Sequence, residues 1–146
     1  MGGFEVSVER GPEQLPVFVY GTLRPGGRNH DRFLRGRTAA ARPARLSGAV
    51  LYEGPGFPYA VAGPEGEIRG ELLTLTASRY AETLAALDEL EGYVPGGAGN
   101  LYDRLVCEVS LEDGARARCW VYVAAEPVAR RLRAEGVRVP GGDWSG

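Results

Sequence analysis

Three groups of residues in this chain are of types that could do chemistry: a glycine turn ending in an arginine, two glutamates near a helix end, and a lone histidine. The turn is Tyr20-Gly21-Thr22-Leu23-Arg24, which follows the apolar run Val17-Phe18-Val19. Apolar and aromatic residues bounded by turn residues predict a buried strand. Gly21 would let the chain turn sharply and present N–H groups outward. With Arg24 close by, those groups make a seat for a carboxylate; the plainer alternative is a strand end carrying a surface arginine. The glutamates are Glu89 and Glu91. At a helix C-terminus they face the negative end of the dipole, an arrangement that local preference disfavours. A glutamate pointing inward there would be desolvated, and its pKa would climb from about 4.3 toward neutral, the range a proton shuttle needs. Pointing outward, it is one more solvated charge.

The remaining candidates carry less. His30 is the one histidine of the chain. It cannot supply a multi-histidine metal site, and no Gly-x-Ser-x-Gly elbow accompanies it, so a structural or pocket-lining role is expected. Cys107 and Cys119 lack metal-ligand spacing and are expected to be reduced core residues. The run Gly96-Gly97-Ala98-Gly99-Asn100 has the glycines of a phosphate loop without its lysine, and predicts a flexible rim or, less readily, a lid. The chain has no lysine at all, which removes lysine Schiff-base chemistry.

Taken together, Tyr-Gly-Thr-Leu near the start and Leu87-Asp88-Glu89-Leu90-Glu91-Gly92 about seventy residues later resemble the gamma-glutamylcyclotransferase-like family. Asn29-His30 and Tyr102-Asp103-Arg104 are similar to that family too, and the resemblance runs from about Pro16 to about Val123. It implies an α+β fold built on a small mixed β-barrel, with one main helix and short flanking helices. It assigns the catalytic glutamate to Glu91 rather than Glu89. It implies that a gamma-glutamyl amine or gamma-glutamyl amino acid cyclises to 5-oxoproline by intramolecular aminolysis and releases a free amine. In this scheme Tyr20, Gly21, Thr22, Leu23 and Arg24 grip the substrate, Tyr102 walls the pocket, and Arg104 is open between a substrate contact and an ion pair. No metal or cofactor is called for. The competing expectation is a non-catalytic carboxylate-binding module of the same fold.

The elements that must position these residues can be read in outline. At 146 residues, with 44% apolar and 25% charged residues, one domain over 1–146 is expected, its core at about 16–124 after an N-terminal extension of 1–15. A net charge of −2 with mixed signs argues against a nucleic-acid partner. Neither a signal peptide nor a membrane span is visible, so a cytoplasmic protein acting on a small molecule is expected. Strands are predicted at Val17–Tyr20, Arg45–Tyr52, Tyr59–Ala62, Glu67–Thr76, Leu101–Leu111 and Ala115–Ala124, with an edge strand at Phe4–Val8. Arg28–Leu34 predicts a helical turn. The best helix is Ala77–Leu90, capped by Ser78 and ended by Gly92; a second spans Pro127–Glu135. Matching the apolar faces of the two last strands sets Cys107 opposite Cys119, across a three-residue loop with Gly114 left-handed.

Overall fold

The structure is a computed structural model that describes residues 14–145; the strand expected at Phe4–Val8 lies outside the described residues. Five strands close into a barrel in the order β1-β3-β2-β4-β5: β1 (Val17–Val19), β2 (Thr38–Glu53), β3 (Pro58–Leu75), β4 (Tyr102–Leu111) and β5 (Arg116–Ala124). Every seam is antiparallel except the last, where Val17 of β1 meets Trp120 of β5 in parallel. Three helices flank the barrel: α1 (His30–Leu34), α2 (Tyr80–Glu91) and α3 (Glu126–Glu135).

Alternation along the strands sorts the apolar residues into two layers. Phe18, Tyr20, Leu46, Leu51, Ile68, Cys107, Cys119 and Val121 form one cluster, which fills the barrel. Val17, Val19, Leu73, Tyr122, Leu87 of α2 and Val128 of α3 form the other, between the barrel wall and the helices. β1 thus contributes to both layers with three consecutive buried residues, which is why it reads as a continuous apolar run.

The β4–β5 hairpin has the expected register. Cys107 pairs with Cys119, both are buried free thiols, and Gly114 turns the loop at φ 87°. Two boundaries differ from expectation. β2 begins at Thr38, because its first residues pair along β3 while facing outward, so no apolar alternation marks them. Strand conformation also continues through Gly63-Pro64-Glu65-Gly66; the pairing jumps from Ala49–Ala62 to Ser47–Glu67, so these four residues bulge opposite Gly48.

The main helix also starts later than its pattern suggests. Ala77–Arg79 form a 3-10 turn, Arg79 holds the N-cap position of α2, and Ser78 makes no cap bond. The far end is as expected: Gly92 adopts φ 70°, and its N–H returns to the carbonyls of Asp88 and Glu89. Tyr80, Leu84, Leu87 and Leu90 pack on the barrel wall. Among the described residues no helix is long and apolar enough to cross a membrane.

Candidate active site

A cleft opens where β1 ends, lined by Tyr20, Gly21, Thr22, Leu23, Phe57, Pro58, Glu91, Tyr102 and Tyr122 over a floor of Phe18 and Val19. Its empty space is about 370 Å³, a figure that includes open solvent at the mouth. Residues far apart in sequence meet here because four elements end at the same rim: β1, the β2–β3 hairpin tip, α2 and the start of β4.

The loop after β1 supplies donors. Among the described residues, no acceptor pairs with the amides of Gly21, Thr22 or Leu23, while the Gly21 and Thr22 carbonyls accept from Arg24 and Asn29. Three adjacent unpaired N–H groups beside a cavity form a concavity suited to an anion. Gly21 is required for a reason other than turning. Its φ is not positive, but a Cβ there would lie 2.8 Å from Cδ of Pro58 across the cavity. The loop is braced from behind: Asn29 Nδ2 donates to Thr22 Oγ1 at 2.9 Å, and His30 Nδ1 lies 2.8 Å from the Leu23 carbonyl oxygen. His30 is therefore a loop brace and not a lining residue.

Glu91 faces this loop from the last turn of α2. The residue as a whole is half-buried, yet desolvation in the aromatic surroundings lifts its carboxyl to a pKa of about 7. Among the described residues nothing hydrogen-bonds that carboxyl to counter the effect. Its charge in turn holds up the pKa values of Tyr20, Tyr59, Tyr102 and Tyr122, each already raised first by burial. Glu89, two residues earlier, is exposed and lines nothing.

Each cavity tyrosine has committed its proton. Tyr20 donates to the Tyr122 carbonyl, Tyr102 to the Pro58 carbonyl at 2.7 Å, and Tyr122 to Asp88 Oδ1 at 2.7 Å. Tyr102 also stacks on Tyr59 with ring centroids 4.8 Å apart, so it stands as a rigid wall. Asp88, one turn before Glu91, holds Arg104 as well: Nη2 donates to Oδ2 at 3.2 Å and Nε sits 2.8 Å from Oδ1. The guanidinium lies 4.2 Å from the centroid of the Trp120 ring and 5.3 Å from that of Tyr93. Arg104 is thus an ion-pair partner outside the cavity.

Arg24 is not brought to the cavity either. Its guanidinium turns to the outer side of the loop, toward Glu71 and Asp143. Phe57, Pro58 and Tyr122 are lining residues that no motif announced; Phe57 and Pro58 come from the junction between β2 and β3, and Tyr122 from β5. The glycine rim is pinned rather than loose: Asn100 exchanges hydrogen bonds with the Val94 backbone N–H and carbonyl at 3.2 and 2.9 Å.

The mouth of the closed mixed barrel thus brings a desolvated carboxyl and a run of unpaired amides to one cleft. The family model described as gamma-glutamyl cyclotransferase, AIG2-like, matches residues 17–146, and the chain belongs to that family. Over 108 residues it is 37% identical to the gamma-L-glutamyl-butirosin B gamma-glutamyl cyclotransferase of Niallia circulans, covering 73% of this chain and 65% of that protein's length. A Halalkalibacterium halodurans protein provisionally named gamma-glutamylcyclotransferase is 32% identical over 112 residues, or 76% of this chain and 90% of its own. A solution structure from Arabidopsis thaliana superposes with a TM-score of 0.63 at 26% identity, over 95% of this chain and 74% of that one.

Proposed function

We propose that the chain is a gamma-glutamyl cyclotransferase: it closes the gamma-glutamyl group of an amine or amino acid to 5-oxoproline and releases the amine. The observation that carries this is the single cavity shared by Glu91, with its pKa of about 7, and the free amides of Gly21, Thr22 and Leu23. Family membership and the named activity of the Niallia relative support it.

The amides hold the α-carboxylate of the glutamyl group. The α-ammonium, with a pKa near 8, loses a proton to Glu91, and its nitrogen attacks the side-chain δ-carbonyl carbon. A new C–N bond closes the five-membered ring, and Glu91 gives its proton to the departing nitrogen as the old C–N bond breaks. Glu91 then takes the surplus proton of the ring nitrogen and passes it to the released amine, which leaves as the ammonium. Because the attack is intramolecular, holding the bent conformer is the main task, contributing on the order of 7–11 kcal/mol. Charge on the δ-oxygen needs a donor. With the hydroxyls of Tyr20, Tyr102 and Tyr122 already donating to protein acceptors, the loop amides are the donors left.

The test is 5-oxoproline release from several gamma-glutamyl amines and amino acids. Glu91→Gln keeps the shape and loses proton exchange, so turnover falls by about 10²–10⁴ while substrate still binds. Glu89→Gln stays near the parent. Parent activity rises with pH as Glu91 ionises around 7. Full activity in Glu91→Gln would sink the mechanism; binding without turnover in the parent would make the protein a carboxylate-binding module instead.

A further inference from the structure

The outer side of the loop has its own machinery, which the cavity does not use. Arg24 Nε and Nη2 donate to the two carboxylate oxygens of Glu71 at 2.8 and 3.1 Å. Its remaining Nη1 donates to Asp143 Oδ1 at 2.7 Å and to the Trp144 carbonyl at 3.0 Å. These partners push the Arg24 pKa further up, the Glu71 bond being the largest cause. Glu71 lies on β3 directly opposite Val19, the last residue of β1. Asp143 and Trp144 belong to the C-terminal segment after α3.

That segment is itself anchored along the barrel. Val137 O accepts from Glu53 N, Tyr52 pairs with Arg138, and Val139 N donates to Leu51 O at 2.8 Å. Gly142, at φ 63°, passes so near β3 that a Cβ would overlap the Glu67 carbonyl oxygen. Trp144 then packs on the barrel-filling cluster. An arginine is suited to this junction because its planar fork can hold one carboxylate with two donors and still reach a second partner, which a lysine cannot.

We propose that Arg24 is a positioning residue that fastens the amide-bearing loop to the C-terminal segment, so that residues 143–144 complete the binding site without touching the ligand. With Arg24 in place, the loop is held between Asn29 and His30 on one flank and Glu71 with Asp143 on the other. Without it, the amides lose their fixed aim while Glu91 and the barrel stay as they are. The catalytic part of this statement rests on the cyclotransferase reading; the structural part does not.

The experiment has two readouts on parent, Arg24→Ala, Arg24→Lys and Asp143→Asn, each first checked for a cooperative thermal transition. The first is NMR order parameters of the Gly21, Thr22 and Leu23 amides. In the parent they should be near 0.85, as for rigid backbone, and in Arg24→Ala they should fall toward 0.6 or below while β4 and β5 stay rigid. Arg24→Lys should recover only part, and Asp143→Asn should lie between. The second is steady-state turnover of a gamma-glutamyl substrate, with the effects on KM and kcat separated. KM should rise between about tenfold and a hundredfold in Arg24→Ala and kcat should fall with it, because the same amides serve the δ-oxygen, while the pH midpoint of Glu91 stays where it is. Unaltered loop order parameters in a folded Arg24→Ala would overturn the proposal outright. A parent that turns over no gamma-glutamyl compound would count against the cyclotransferase reading alone, and the order parameters would still decide the role of Arg24. Should Arg24→Ala fail to fold, Asp143→Asn, which removes the charge of one exposed partner, decides the question by the same two measurements.

Discussion

Glu91 is placed at a cost that can be measured separately from catalysis. Its carboxyl has a pKa of about 7 in the folded chain against 4.5 ordinarily, so the folded state binds its proton more tightly than the unfolded state. The sign follows: the contribution favours folding below pH 4.5 and is lost as the pH rises through 7. Glu91→Gln should therefore match the parent in thermal stability at pH 4 and exceed it at pH 8. Equal melting curves at both pH values would show that the carboxyl is better solvated than its surroundings indicate. Asp88 makes the opposite case. Its carboxylate serves Arg104 and Tyr122 at once, and the Asp88 and Arg104 side chains are only 19% and 14% exposed. Asp88→Asn keeps the shape but leaves the guanidinium without a counter-charge, so a loss on the order of 1–3 kcal/mol is expected in denaturant titrations. Because Tyr122 walls the cavity, kcat should fall as well, by less than in Glu91→Gln.

The helix α2 shows how an element aims a residue. Leu87 and Leu84 fix its rotation on the barrel wall, and Gly92 stops it one residue after Glu91. Nothing lies within 4 Å of a Cβ added at Gly92, so Gly92→Ala meets backbone strain alone, about 1–2 kcal/mol. Urea unfolding should register that loss, and turnover should drop with it because the last turn carries the carboxyl. This end of the helix was legible in the sequence, since a glycine C-cap is a local signal. So was the Cys107–Cys119 register, which follows from two alternating strands and a short loop. The start of α2 was not, because Ser78 fits a cap in isolation and the 3-10 turn before Tyr80 overrides it. Arg24 was legible as a residue near the site but not in its direction. Its partners, Glu71 and Asp143, are 47 and 119 residues away, and no local pattern encodes them. The lining residues Phe57, Pro58 and Tyr122 were hidden for the same reason: they reach the cavity through strand pairing and not through any motif.

At the scale of the whole molecule, the cavity draws on a strand near the start of the chain, a hairpin tip, a helix end and β5. Pairings between distant residues dominate such a barrel, and loop closure must precede them. Refolding monitored by tryptophan fluorescence is expected in roughly milliseconds to seconds, and a microsecond phase carrying the full amplitude would contradict this picture. The closing seam is slender: β1 meets β5 through the pair Val17–Trp120, with Trp120 N donating to Pro16 O at 2.9 Å. On the ribosome, where the chain emerges from its N-terminus, β1 must therefore wait for β5 with its edge toward β5 unpaired. Until residue 120 has left the exit tunnel, the loop that follows β1 has no finished wall behind it. A nascent chain stalled before that point would hold the amides and Glu91 in sequence but not in space, and ligand recognition would follow only after β5 and then residues 143–144 had emerged to complete the site.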